Sequence, residues 1–116
     1  MLPGKEDFEL DEDRVTRNED GSVTWRLYFP IKIKFKGPEG EREEKLEGLT
    51  FRRTNAEDME ESERANGDMA TNRLMFTRLT GIDGKTFGKL DSLDLMAGAM
   101  IIAGFTDVSR LTGDPS

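Results

Sequence analysis

The chain contains no cysteine and no histidine. Without cysteine there can be no disulfide, no thiolate metal site and no thiol nucleophile. Without histidine the commonest general base and the commonest metal ligand are missing as well. Positive charge is also scarce: 17 Lys and Arg stand against 24 Asp and Glu, a net charge of -7. A surface that tracks phosphates needs clustered cations, so nucleic acid is not an expected partner. Long hydrophobic runs are absent too, with one exception, the eleven residues LMAGAMIIAGF from Leu95 to Phe105. That run is far short of the roughly twenty residues of a membrane-spanning helix. The first ten residues, MLPGKEDFEL, carry no continuous apolar region of the kind a secretory signal needs. No membrane association is therefore expected, and the absence of cysteine is compatible with a reducing cytoplasm.

The length, 116 residues, suits one domain that buries about two thirds of its unfolded surface. Residues 1–21 read as an acidic, flexible arm with Phe8, Leu10 and Val15 as scattered anchors. Asp20-Gly21 also suits a tight turn through which that arm could pair back as a strand. From Val23 to Phe35 every odd position is apolar: Val23, Trp25, Leu27, Phe29, Ile31, Ile33 and Phe35. Period two predicts a strand with one buried face. Pro30 lacks an N–H, so it marks an edge, a bulge or a break. Gly37-Pro38-Glu39-Gly40 predicts a turn, followed by a second strand from about Glu43 to Arg53. Leu46 is out of phase with Leu49 and Phe51, and a bulge at Glu47-Gly48 restores the register.

The period then changes. Thr54-Asn55-Ala56-Glu57 has the pattern of a capping box and predicts a helix over Ala56–Ala65, with Met59 as its main apolar contact. Asn66-Gly67 interrupts, and Asp68 can cap a second helix over Met69–Thr80 that carries Met69, Phe76 and Leu79 near one face. Gly81 stops it. A loop through Ile82, Gly84 and Phe87 leads to Asp91 or Ser92, which caps a third helix. The expected architecture is α+β: an N-terminal antiparallel β-hairpin or small sheet followed by about three α-helices. The domain is placed at 22–105 and a polar tail at 106–116.

The third helix is apolar on every side. Leu95, Ala99 and Ile102 form one stripe, Met96, Met100 and Ala103 a second, and Ala97, Ile101 and Phe105 a third. A small domain buries one or two stripes of a helix, and the remaining one calls for a partner. Methionines favour an adaptable contact surface, and Gly98 and Gly104 permit close backbone approach. Phe76, Leu95, Met96, Met100, Ile101 and Phe105 are the candidate partner-binding residues.

Patterns suggestive of chemistry are incomplete. Gly84-Lys85-Thr86 resembles the end of a phosphate-binding loop, but Leu79 stands where the leading glycine belongs. Asp11-Glu12-Asp13 fails the spacing of a calcium loop, because Val15 occupies a ligand position. Glu57, Asp58, Glu60, Glu61 and Glu63 form a run, whereas catalytic carboxylates need differentiated surroundings. Lys32, Lys34 and Lys36 line the polar face of the first strand, where they solubilise it, protect an edge or pair with the acidic helix. No catalytic residue, cofactor site or metal site is expected.

Several short segments in a fixed order resemble those of tail assembly chaperones of contractile-tailed, Mu-like bacteriophages. They are Leu49-Thr50-Phe51-Arg52-Arg53, Asp58, Gly67-Asp68, Arg78-Leu79-Thr80-Gly81, Leu90-Asp91 with Asp94, and Ala103-Gly104-Phe105. The resemblance covers about half the chain and rests on order and spacing together. The family often has proline after the paired basic residues, where this chain has Thr54. The resemblance implies a non-enzymatic assembly role: binding the tape measure protein and keeping it soluble for tail tube assembly. It also implies possible contact with the tail tube protein, a frameshift-extended form of the chain and a homo-oligomer. The implied location is the host bacterial cytoplasm during assembly, with the protein absent from the mature virion. The alternative is a structural tail or baseplate adaptor subunit retained in the particle.

Overall fold

The computed structural model describes residues 8–107. Three antiparallel strands, β1 (Val15–Arg17), β2 (Val23–Gly37) and β3 (Gly40–Phe51), form a sheet in the order β1-β2-β3. Four helices follow: α1 (Ala56–Arg64), α2 (Asp68–Thr80), α3 (Gly84–Gly88) and α4 (Ser92–Gly104). This is the expected α+β order of sheet and then helices. The additional helix, α3, replaces the loop expected around Gly84, because the Asp83 side chain accepts the Thr86 amide at 2.8 Å and caps a turn there.

The described part of the acidic arm lies against the sheet. A 3-10 turn at Glu12–Arg14 leads into β1, and Val15 pairs with Trp25 and Arg17 with Val23. The turn back uses Gly21 at φ 88, a conformation glycine adopts without a Cβ clash. The Arg14 guanidinium then donates to the Arg26 and Leu27 carbonyls at 3.2 and 3.0 Å and lies 4.3 Å over the Tyr28 ring. It covers part of the β2 edge that short β1 leaves open.

The irregularity between the long strands falls opposite Glu47, as the phase of Leu46 requires. The extra residues, however, come from β2: Arg26 pairs with Gly48 and Ile31 with Leu46, so Leu27–Pro30 bulge against one residue of β3. Pro30, with no amide to donate, sits in this bulge. One face of the sheet carries Trp25, Leu27, Ile31, Leu49 and Phe51 into the core, where they meet Met75, Phe76 and Leu79 of α2, Phe87 of α3, and Ala97, Ile101 and Phe105. Phe51, Phe76 and Phe87 pack edge to face in succession, with centroids 5.3 Å apart in each pair. Gly98 lets α4 close on this stack, since a Cβ there would lie 2.9 Å from the Phe51 ring and closer still to Phe76.

Four expectations for the helices are corrected. Met59 is exposed, and the only buried residue of α1 is Asp58. The capping box is Asn55 with Asp58, one position later than the Thr54 pattern. Met69 is exposed as well, and the buried residues of α2 all lie within its last two turns. Asp68 is the first residue of α2 rather than its cap, because Gly67 at φ 96 makes the turn. Beyond the core, residues 32–45 of the hairpin are exposed at every position except Ile33. At about 3.3 Å per residue β2 alone spans about 50 Å, close to the 56 Å long axis of the molecule.

Candidate partner-binding surface

Helix α4 is positioned by its first turn. Asp91 caps it by accepting the Leu93 amide at 2.9 Å. Asp94 is fully buried and receives the Trp25 indole Nε1–H at 2.9 Å and the Tyr28 amide at 2.8 Å on one oxygen, and the Phe29 amide at 3.1 Å on the other. The bulge frees those two backbone donors, and the carboxylate satisfies them. A buried amide without a partner costs on the order of 1–3 kcal/mol, so this contact ties α4 to β2.

That anchorage decides which way the three stripes face. Ala97, Ile101 and Phe105 point into the core and are 0, 6 and 7% exposed. Leu95, Ala99 and Ile102 are half-buried along the flank. Leu93, Met100 and Ala103 face outward, with Met100 40% exposed, and half-buried Met96 lies between them. Phe29, whose amide Asp94 holds, is 53% exposed at the start of the same helix. The outer face of α4 is therefore apolar for its whole length, with no charged side chain between Asp94 and Asp107.

At its C-terminal end this face opens into a cleft of about 190 Å³ lined by Leu10, Val23, Met100, Ile101 and Phe105 together with Arg17, Asn18, Ser22 and Arg53. Arg53 donates to the Phe105 carbonyl at 3.0 Å, and its guanidinium lies 5.6 Å over the Phe105 ring. Arg17 is bonded to Glu12 at 2.6 Å.

Of the six candidate partner-binding residues, Leu95, Met96 and Met100 lie on or beside the outer face. Phe76, Ile101 and Phe105 belong to the core, because the bulky aromatic stack and the inner stripe of α4 fill the space above the sheet. Leu93 and Phe29 are outward apolar residues that periodicity did not single out. Phe29 shares the odd phase of the buried face, and only the bulge turns it out.

Asp58, Arg52, Arg78 and Glu57 form a structural network. Asp58 is fully buried, and it accepts Arg52 in a two-pronged contact at 2.7 and 2.9 Å, Arg78 Nε at 2.8 Å and the Asn55 amide at 2.9 Å. The Arg52 guanidinium, followed by Arg78 and the Asn55 amide, holds this carboxyl well below the usual carboxylate range against the opposing effect of desolvation. Arg78 also pairs with Glu57 at 3.0 Å. The network joins the end of β3, the start of α1 and the end of α2. Thr86 of the Gly84-Lys85-Thr86 pattern is buried in the short α3 turn rather than displayed on a loop. Among the described residues no cluster of acidic side chains is arranged to hold a metal ion. No described helix is long and apolar enough to cross a membrane.

Among the described residues the site is an α+β domain's apolar helix face left uncovered, rather than a pocket of convergent polar groups. Compared with known proteins, the chain matches no family model, no curated protein and no solved structure.

Proposed function

We propose that the protein is a phage tail assembly chaperone. It binds apolar helical segments of the tape measure protein and keeps them soluble until the tail tube assembles around them. The observation that carries this reading is the outward stripe of α4, Leu93, Met100 and Ala103 with half-buried Met96 beside them, left uncovered by the other described residues in a chain of net charge -7. A helix laid against such a stripe buries both apolar faces, and the net negative charge of the chain keeps the complex in solution. The motifs that resemble the family support the reading in one more way. Arg52, Asp58, Arg78, Gly81, Asp91 and Asp94 are the residues that cap, brace and orient the helices. A shared pattern at those positions goes with a shared frame. The role is one of binding, without catalysis, and it is carried out in the host cytoplasm.

Co-expression with the tape measure protein of the same genome is the direct test. The client is expected in the soluble fraction and in the purified complex. An insoluble client and no co-purification would rule the proposal out. A second reading, a tail or baseplate adaptor, is favoured by one observation: β3 is the terminal strand of the sheet, and its outer half projects from the body. Such an edge can add to a neighbouring sheet. Mass spectrometry of purified virions separates the two, with stoichiometric copies expected only for the adaptor.

A further inference from the structure

The cleft at the end of α4 has a size and a charge that select its occupant. Its volume, about 190 Å³, is below the roughly 300 Å³ at which small-molecule sites begin. It admits one large apolar side chain. Its apolar lining comes from Leu10, Val23, Met100, Ile101 and Phe105. Among the described residues, the only charged ones that line it are Arg17 and Arg53, in a chain that is acidic overall. Arg17 already has Glu12 as its partner. Arg53 has no ion pair among the described residues.

Arg53 is also held in place. Its stem crosses Gly21, where a Cβ would lie 2.6 Å from Cδ. One terminal nitrogen is held by the Phe105 carbonyl at 3.0 Å, and the guanidinium lies over the Phe105 ring. The remaining N–H groups have no carboxylate partner among the described residues. Guanidinium groups pair with carboxylates through parallel hydrogen bonds, and a fixed one loses little entropy in doing so.

The geometry points to a specific docking mode: the cleft takes one large apolar side chain of a partner polypeptide that carries Asp or Glu immediately beside it, with Arg53 binding that carboxylate. The rest of the partner continues along Met100, Met96 and Leu93. This mode rests on the proposed binding role of α4 and adds to it the chemistry of the segment that is recognised. A partner segment whose apolar anchors are flanked by lysine alone is disfavoured at this end of the surface.

The test uses two blocked dipeptides, N-acetyl-Phe-Glu-amide and N-acetyl-Phe-Gln-amide, titrated into the full chain and followed by NMR. The acid is expected to shift the Met100 methyl and the Arg53 side-chain signals, and to bind about five- to tenfold more tightly than the amide. Arg53→Gln should abolish that difference, Arg53→Lys should keep part of it, and Arg26→Gln should leave it unchanged. Amide spectra and unfolding midpoints of each variant establish that it is folded. Equal binding of the two dipeptides, no binding of either, or an acid preference that survives in folded Arg53→Gln would overturn the proposal. Solubilisation of the tape measure protein by Arg53→Gln at the level of the parent chain would also overturn this docking mode, while leaving the chaperone reading intact.

Discussion

Asp94 shows how much one side chain can decide. It is the only acidic residue between Asp91 and Asp107, and it stands in the first turn of α4, where a carboxylate complements the positive end of the helix dipole. That much is legible locally. Its three donors are not, since the Trp25 indole lies 69 positions away and the two amides belong to a bulge. Asp94→Asn would keep the shape but turn one acceptor into an N–H group that faces a donor. The expected loss is about 1–3 kcal/mol, read from urea unfolding with an unchanged denaturant slope. The Trp25 fluorescence should shift at the same time. Wild-type stability in the Asn variant would mean that the carboxylate does not hold the bulge. Arg14 is the opposite case: nothing in its neighbourhood of acidic residues marks it as the group that covers the β2 edge.

Elements here are held by different forces. Helix α4 is held by burial of its inner stripe, whereas α1 is held by the buried carboxylate of Asp58 between Arg52 and Arg78. The Glu-rich pattern of α1 is legible as a solvated helix, but charge patterning alone does not distinguish the one carboxylate turned inward from its neighbours. Because the folded state lowers the Asp58 pKa, the pair contributes its full stability above the unfolded value of about 3.9. That contribution is lost as pH falls below it toward the folded value. Asp58→Asn is therefore expected to destabilise the domain near neutral pH by about 2–4 kcal/mol. It should also flatten the decline in stability on acidification from about pH 4 downward. Chemical unfolding at a series of pH values measures both. A decline as steep in the variant as in the parent would show that Asp58 is not the group being titrated.

For the whole molecule, the separation of inward and outward stripes turns a single apolar helix into two experiments. Ile101→Asp places a charge in the core and should unfold the domain. Met100→Asp places one on the outer face and should leave the unfolding midpoint within a few degrees of the parent, since surface changes are usually within about 0.5 kcal/mol. The folded Met100→Asp protein is expected to lose client solubilisation and any self-association. Circular dichroism and light scattering, run beside the co-expression assay, distinguish the two. A folded variant that still binds its client in full would remove α4 as the interface.

Strand periodicity from Val23 to Phe35, the Pro38-Glu39 turn, the change to helical spacing after Thr54 and the stop at Gly81 were all legible because they depend on neighbours along the chain: side-chain alternation, backbone dihedrals and caps. The apolar character of 95–105 was legible for the same reason. Which stripe of that helix would face water was not. It follows from the rotation that Asp94 imposes on α4 against a bulge in β2, from the fit of Gly98 to the Phe51 and Phe76 rings, and from the volume those rings already fill. These are contacts between residues far apart in sequence, and only the tertiary structure brings them together. Composition and local pattern determined that one apolar helix would exceed what the sheet could cover. Three-dimensional packing decided that Leu93 and Met100 remain outside while Ile101 and Phe105 do not.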